Sequence, residues 1–104
     1  MTSNYPQIIE PTTGCIASAL SVLGKKWTAL ILRDLTIEPK HFCELERSVK
    51  NITPRILSQR LRDLEKQGII TNDHTYNSYS LTDKGTDLIP ILKQMATWGN
   101  KYPR

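Results

Sequence analysis

Between Thr53 and Gly68 the chain sorts its apolar and polar side chains onto opposite faces of one helix. Advancing about 100° per residue from Leu57 brings Leu61 and Leu64 within about 40° of it. Arg55, Gln59, Arg62 and Lys66 gather near the opposite side, with Ser58 on the flank. A leucine stripe of this kind must be covered by a core, so the segment cannot stand alone. Both ends carry stop signals with a mechanism. The Thr53 oxygen can accept from an orphan N–H, and Pro54 lacks the N–H that its position would leave unpaired. Gly68 supplies the left-handed residue that ends a helix. The spacing therefore predicts a helix over about 53–67, with a leucine face behind and a basic, amide-bearing face in front.

The flanking segments supply the rest of a small domain. Residues 1–14 hold Pro6, Pro11 and Gly14 without an apolar period and read as a flexible arm. Ile16, Ala19, Leu20 and Leu23 recur at helical spacing and end at Gly24. Trp27, Leu30, Ile31 and Leu35 form the stripe of a second helix, with Leu32 off it, which implies burial on more than one side, and Glu38-Pro39 as its breaker. A third helix carries Phe42, Leu45 and Val49, and Lys50-Asn51-Ile52 makes a short turn into the fourth. After Gly68 the period changes to two: Ile69-Ile70-Thr71 and the alternation around Tyr79 and Leu81 enclose the polar loop Asp73-His74-Thr75-Tyr76-Asn77. That is a hairpin over about 69–81. Thr82 then caps a long final helix over about 83–100, with Asp83 in its first turn and Pro90 expected to bend it.

The order is therefore mainly α with one small β-hairpin, a single domain over 15–104. Of the 104 residues 38% are apolar and 23% charged, which excludes a disordered chain. The net charge is +4, and residues 40–67 carry seven basic against four acidic side chains, so most of the excess lies in one stretch. Cys15 and Cys43 cannot build a disulfide framework, and neither their spacing nor His41 beside Cys43 makes a metal site. Neither a signal peptide nor an apolar run of the ~20 residues a membrane span needs is expected, which places the protein in the cytoplasm. A triad drawn from Ser58, His74 and Asp63 ignores geometry, and no Gly-rich phosphate loop is present. No enzyme, cofactor or metal is expected.

The chemistry on the fourth helix suits a DNA major groove. Arg can pair with both acceptors of guanine, Gln with adenine, and a spare Arg or Lys with phosphate. Taken alone, a polar face is ordinarily just solvated. The context favours more: a helix, a short turn, a helix with a basic outer face and then a hairpin is the order of a winged helix-turn-helix, with recognition helix and wing. Double-stranded DNA is the expected partner.

Several runs carry a closer likeness. Gly24-Lys25-Lys26-Trp27-Thr28 with Leu30-Ile31-Leu32-Arg33-Asp34-Leu35, then Phe42-Cys43-Glu44-Leu45, Ile52 through Glu65, and Tyr79-Ser80-Leu81-Thr82-Asp83-Lys84-Gly85 resemble the signature of HxlR-type regulators, relatives of the MarR group. The likeness spans about Cys15 to Gly99. It implies a dimeric winged-helix transcription regulator, in its expected form a repressor, on a near-palindromic operator. It also implies DNA contacts from Thr53, Pro54, Arg55, Ser58, Gln59, Arg62 and Lys66. Arg60, nearer the apolar side, is assigned a structural ion pair or a phosphate contact. The wing is shorter than is usual in the family and lacks its Pro- and Arg-containing tip, which leaves His74, Tyr76 and Asn77 as its contacts, with hydrophobic packing as the alternative for Tyr76.

The last helix carries two apolar stripes. Leu88, Ile91, Met95, Trp98 and Tyr102 form one, and Ile89, Leu92 and Ala96 the other. So small a domain has no evident use for both, unless both are core. The expected dimer interface comprises Ile16, Leu20, Leu88, Ile91, Leu92, Met95 and Trp98. Two-fold pairing would set two recognition helices ~34 Å apart. Cys15, at the start of the first helix, is a candidate redox or electrophile sensor because the helix N-terminus favours a thiolate; a free thiol packed in the dimer interface is the alternative. Cys43 is expected in the core. A protein-contact winged helix and a nonspecific architectural DNA binder are the competing functions.

Overall fold

The computed structural model describes residues 14–104. The expected arm, apart from Gly14, lies outside the described residues. The order is α1 (Ile16–Leu23), α2 (Thr28–Leu35), β1 (Lys40–His41), α3 (Phe42–Ser48), α4 (Pro54–Lys66), β2 (Ile70–Asp73), β3 (Ser78–Leu81), α5 (Asp83–Thr86) and α6 (Ile89–Lys101). The architecture is mainly helical with a small antiparallel sheet, as the periodicity implies. The sheet has three strands in the order β1-β3-β2, one more than the hairpin. β1 pairs Lys40 with Tyr79 and His41 with Ser78, while β2 runs from Ile70↔Leu81 to Asp73↔Ser78. A two-residue strand has no period, so no pattern betrays it.

The core is a leucine–isoleucine cluster shared by five segments. Ile31, Leu32 and Leu35 come from α2, Leu45 and Val49 from α3 and its end, and Ile52 from the turn. Leu57, Leu61 and Leu64 come from α4, and Ile69 and Ile70 from the entry to β2. Each such side chain stabilises the fold by ~1.5–3 kcal/mol relative to exposure. The buried stripe of α2 is Thr28, Ile31, Leu32 and Leu35, spaced i, i+3, i+4, i+7. Two expectations are corrected here. Leu30, expected on the stripe, is exposed, because the stripe starts at Thr28 and not at Trp27, while Leu32 is fully buried, as a helix covered on more than one side requires. The helix ends ahead of its breaker Glu38-Pro39, with Thr36 as its C-cap. Cys43 is exposed, since Phe42, Leu45 and Val49 already hold the inward positions of α3.

The single long helix expected after Thr82 is two helices. Thr82 caps α5 as expected, its Oγ1 accepting from Gly85 N at 3.2 Å. Pro90 does not bend a continuous helix; it stands in the first turn of α6. Its missing N–H and its ring both break the ladder to the preceding turn, so the chain restarts there. Gly85 is required for close approach, because a Cβ on it would lie 2.2 Å from the Ile69 carbonyl oxygen. That contact, with Thr82 Oγ1 donating to Gly68 O at 2.5 Å and Lys84 Nζ to Gln67 O at 2.7 Å, seats α5 on the end of α4.

Candidate nucleic-acid interface

α4 begins and ends where its sequence signals stand. Thr53 Oγ1 accepts from Ile56 N at 3.2 Å, with Pro54 in the first turn. At the other end Ile69 N donates to Leu64 O and Gly68 N to Glu65 O, at 2.9 and 3.0 Å, with Gly68 at φ +74. This paired closure satisfies two carbonyls that the helix leaves open. With Leu57, Leu61 and Leu64 at 0–1% exposure, the helix is held by one face.

The opposite face is open. Arg55, Gln59, Arg62 and Lys66 are exposed, and Ser58 is half-buried beside them. Arg62 Nη1 donates to Ser58 Oγ at 3.4 Å, a contact one helical turn long. Among the described residues, Arg55, Gln59 and Lys66 hold no side-chain hydrogen bond or ion pair. Thr53 and Pro54 lie exposed at the helix start. Two guanidinium groups, an amide and an ammonium therefore stand together on a rigid helix, with all but the Arg62–Ser58 donor uncommitted. That is the inventory needed to pair with base edges and phosphates.

α3 leads into α4 through Lys50-Asn51-Ile52, where Asn51 takes φ +71 and Ile52 N donates to Val49 O at 3.3 Å. The hairpin that follows α4 closes over residues 74–77. Asp73 accepts from Thr75 N at 3.0 Å, and Asn77 adopts φ +51, a conformation Asn tolerates in tight turns. His41 Nδ1 lies 3.2 Å from the Asn77 carbonyl oxygen, tying the wing base to the start of α3. His74, Tyr76 and Asn77 are all exposed. The wing's one charged side chain near the tip, Asp73, is anionic, so the hairpin offers no cation to phosphate.

A helix, a tight turn, a second helix with an open cationic face and a hairpin define the frame in which the comparisons with known proteins fall. Residues 22–104 match the HxlR-like helix-turn-helix family. The chain belongs to that family. Among the HxlR-like relatives, the uncharacterised HTH-type transcriptional regulator YvaP of Bacillus subtilis is 37% identical over 89 residues, covering 81% of this chain and 82% of its own. The HTH-type transcriptional regulator YodB of the same organism is 33% identical over 90 residues, covering 82% and 80%. Quinone-bound YodB superposes with a TM-score of 0.76 at 33% identity over 90% of this chain and all of that one. The redox regulator HypR in its oxidised form gives 0.79 at 34% identity over 86% and 97%. The HxlR-like domain described here is thus a helix-turn-helix transcription regulator. No helix of the described residues is long and apolar enough to cross a membrane.

The other singled-out residues lie away from α4's outer face. Cys15 is the N-cap of α1, exposed, with its Sγ accepting from Ser18 N at 3.3 Å and from Ser18 Oγ at 3.2 Å. The Ser18 hydroxyl, then its N–H, hold the thiol below its ordinary pKa. No residue of α1 is buried. Ile16, Leu20, Ile91, Met95 and Trp98 are exposed. Leu88 and Leu92 differ, because they pack partly onto the core of their own chain. Leu92 also lines, with Ala29, Leu30, Arg33, Met95 and Ala96, an open cavity of ≈ 250 Å³ between α2 and α6.

Sequence reasoning missed how α4 is held from the side. Arg60 makes neither an ion pair nor an outward-facing contact: its Nε donates to the Lys26 carbonyl at 3.1 Å. One turn further on, Asp63 receives Lys25 Nζ at 3.2 Å. These partners lie 34 and 38 residues apart in sequence, and no local period reports such contacts.

Proposed function

We propose that this regulator is a homodimeric, sequence-specific DNA-binding protein that represses transcription from a near-palindromic operator in the cytoplasm. The observation that carries the reading is α4 itself, whose leucine face is sealed while Arg55, Gln59, Arg62 and Lys66 stand exposed together. A winged helix specialised for protein contact would present apolar anchors there. A nonspecific binder would need cations more than an amide, and Gln59 stands exposed among the cations of the face. Dimerisation is supported by α1, an apolar helix with nothing buried, and by the exposed row Ile91, Met95 and Trp98 on α6. A monomer rarely leaves so many large apolar side chains on two helices to water.

Responsiveness to oxidants or electrophiles through Cys15 belongs to the same proposal. Its support is an exposed thiol at a helix start, stabilised as thiolate by Ser18, and the likeness to YodB, solved bound to quinone, and to the redox regulator HypR. Selection of duplexes from a random DNA pool tests the first claim: recovery of a two-fold symmetric consensus is expected, and recovery of no consensus overturns it. Sedimentation at micromolar concentration should show a dimer. Mass spectrometry after diamide treatment should find Cys15 modified and affinity for the selected duplex changed; an unmodified thiol removes the sensing role.

A further inference from the structure

The elbow between α1 and α2 is fastened to the flank of α4 at two points. Lys25 Nζ meets Asp63 Oδ2 at 3.2 Å, and Arg60 Nε donates to Lys26 O at 3.1 Å. Asp63 and Arg60 are three residues apart, so both attachments fall on one flank of α4, between the leucine face and the outer face. The elbow is also tightly built. Gly24 closes α1 where a Cβ would stand 2.5 Å from the Leu20 carbonyl oxygen. Trp27, the N-cap of α2, takes φ +80, a left-handed conformation that a bulky side chain adopts only when its surroundings impose it. Lys26 lies 4.8 Å over the Trp27 ring. Beyond the elbow, α1 touches the core only through Val22 and Leu23.

We propose that Lys25, Asp63 and Arg60 are positioning residues: a two-point strap through which the placement of α1 sets the placement of α4. A rigid α1 carries any displacement at its Cys15 end to Gly24, and the strap transmits it to α4, whose leucine face otherwise holds it still. The three side chains need not touch DNA. The functional meaning of the strap rests on α4 reading DNA, but its test does not.

The test uses full-length Cys43→Ser protein, so that N-ethylmaleimide labels Cys15 alone, and follows amide hydrogen exchange across residues 54–66. With the strap intact, labelling should change exchange in α4 by about fivefold, the range a half-exposed ion pair and one hydrogen bond can carry. Lys25→Glu sets two carboxylates face to face and should reduce the change below about twofold. The Lys25→Glu/Asp63→Lys exchange of charges should restore it, which a purely structural role would not produce. An equal change in all three proteins, or none in any, overturns the strap. A parallel titration of a duplex selected from the random pool separates the two claims: strap-dependent exchange without duplex binding sinks the operator reading and leaves the strap standing.

Discussion

α4 and α6 are the same length, 13 residues, and each has a proline in its first turn. Their apolar residues meet different fates. In α4 three leucines vanish into the core, whereas no residue of α6 is buried and Ile91, Met95 and Trp98 stand open. Amphipathic patterning by itself says that a helix needs a covering surface; it does not say which chain provides it. In α4 the cover is α2, α3 and the sheet entry, and the polar face is what remains for a partner. In α6 the apolar face itself remains. One helix presents donors and charge, the other presents hydrocarbon, so the two suit partners of different chemistry.

The sharpest way to break this contrast is to truncate one side chain on each helix. Leu57→Ala should destabilise by ~2–5 kcal/mol, the transfer loss plus the cavity left behind. Ile91→Ala, about half exposed, should cost less than ~1 kcal/mol at dilutions where copies are separate. Urea unfolding over a range of protein concentrations reads both. If Ile91→Ala matches Leu57→Ala in a dilute sample, the face of α6 is core and the contrast collapses.

Next comes the hydrocarbon face as an interface. Trp98, stacked on Tyr102 with ring centroids 5.3 Å apart and still 67% exposed, is its largest side chain. Trp98→Ala should weaken self-association by ~2 kcal/mol, about thirtyfold in dissociation constant. Sedimentation equilibrium should show this while the unfolding of separate copies stays unchanged. Undiminished association would move the interface elsewhere, with α1 as the remaining apolar helix.

On the donor face the expected effects fall on DNA affinity and spare stability. Arg62→Ala and Gln59→Ala should each cost ~1–3 kcal/mol on a selected duplex and relax preference at one position. Stability should move by less than about 0.5 kcal/mol, since neither side chain is buried. A loss equal on every duplex would turn that residue into a phosphate contact, and its salt slope would fall by about one.

What could be read from the residues was what has a period or a cap. Thr53, Pro54 and Gly68 delimited α4 because their mechanisms are local, and the leucine spacing placed its inner face. The strand Lys40–His41 escaped because two residues pair only through a partner 37 positions or more away. Pro90 was legible as a disturbance but not as a restart, since the choice depends on how α5 seats against Ile69. The half-burial of Leu88 and Leu92 depends on the angle at which α6 leaves α5, which no stripe encodes. The strap on α4 is tertiary throughout. Cys43 was misplaced because hydrophobic character alone does not say which side of a seven-residue helix is already filled.

The smallest expected effect concerns the start of α1, where the contrast between open and sealed surfaces reaches a single thiol. Cys15 is fully open, and its pKa is lowered first by the Ser18 hydroxyl and second by the Ser18 N–H. Both favour the thiolate, so the fraction reactive at neutral pH exceeds that of a free cysteine, whose pKa is about 8.5. In Cys43→Ser protein, the rate of alkylation plotted against pH should therefore have its midpoint below that of the same thiol in the urea-unfolded chain. Ser18→Ala deletes the hydroxyl but keeps the N–H, so the midpoint should move upward without reaching it, and alkylation at pH 7 should slow. A midpoint unmoved by Ser18→Ala would mean that the helix N-terminus alone sets the reactivity of Cys15.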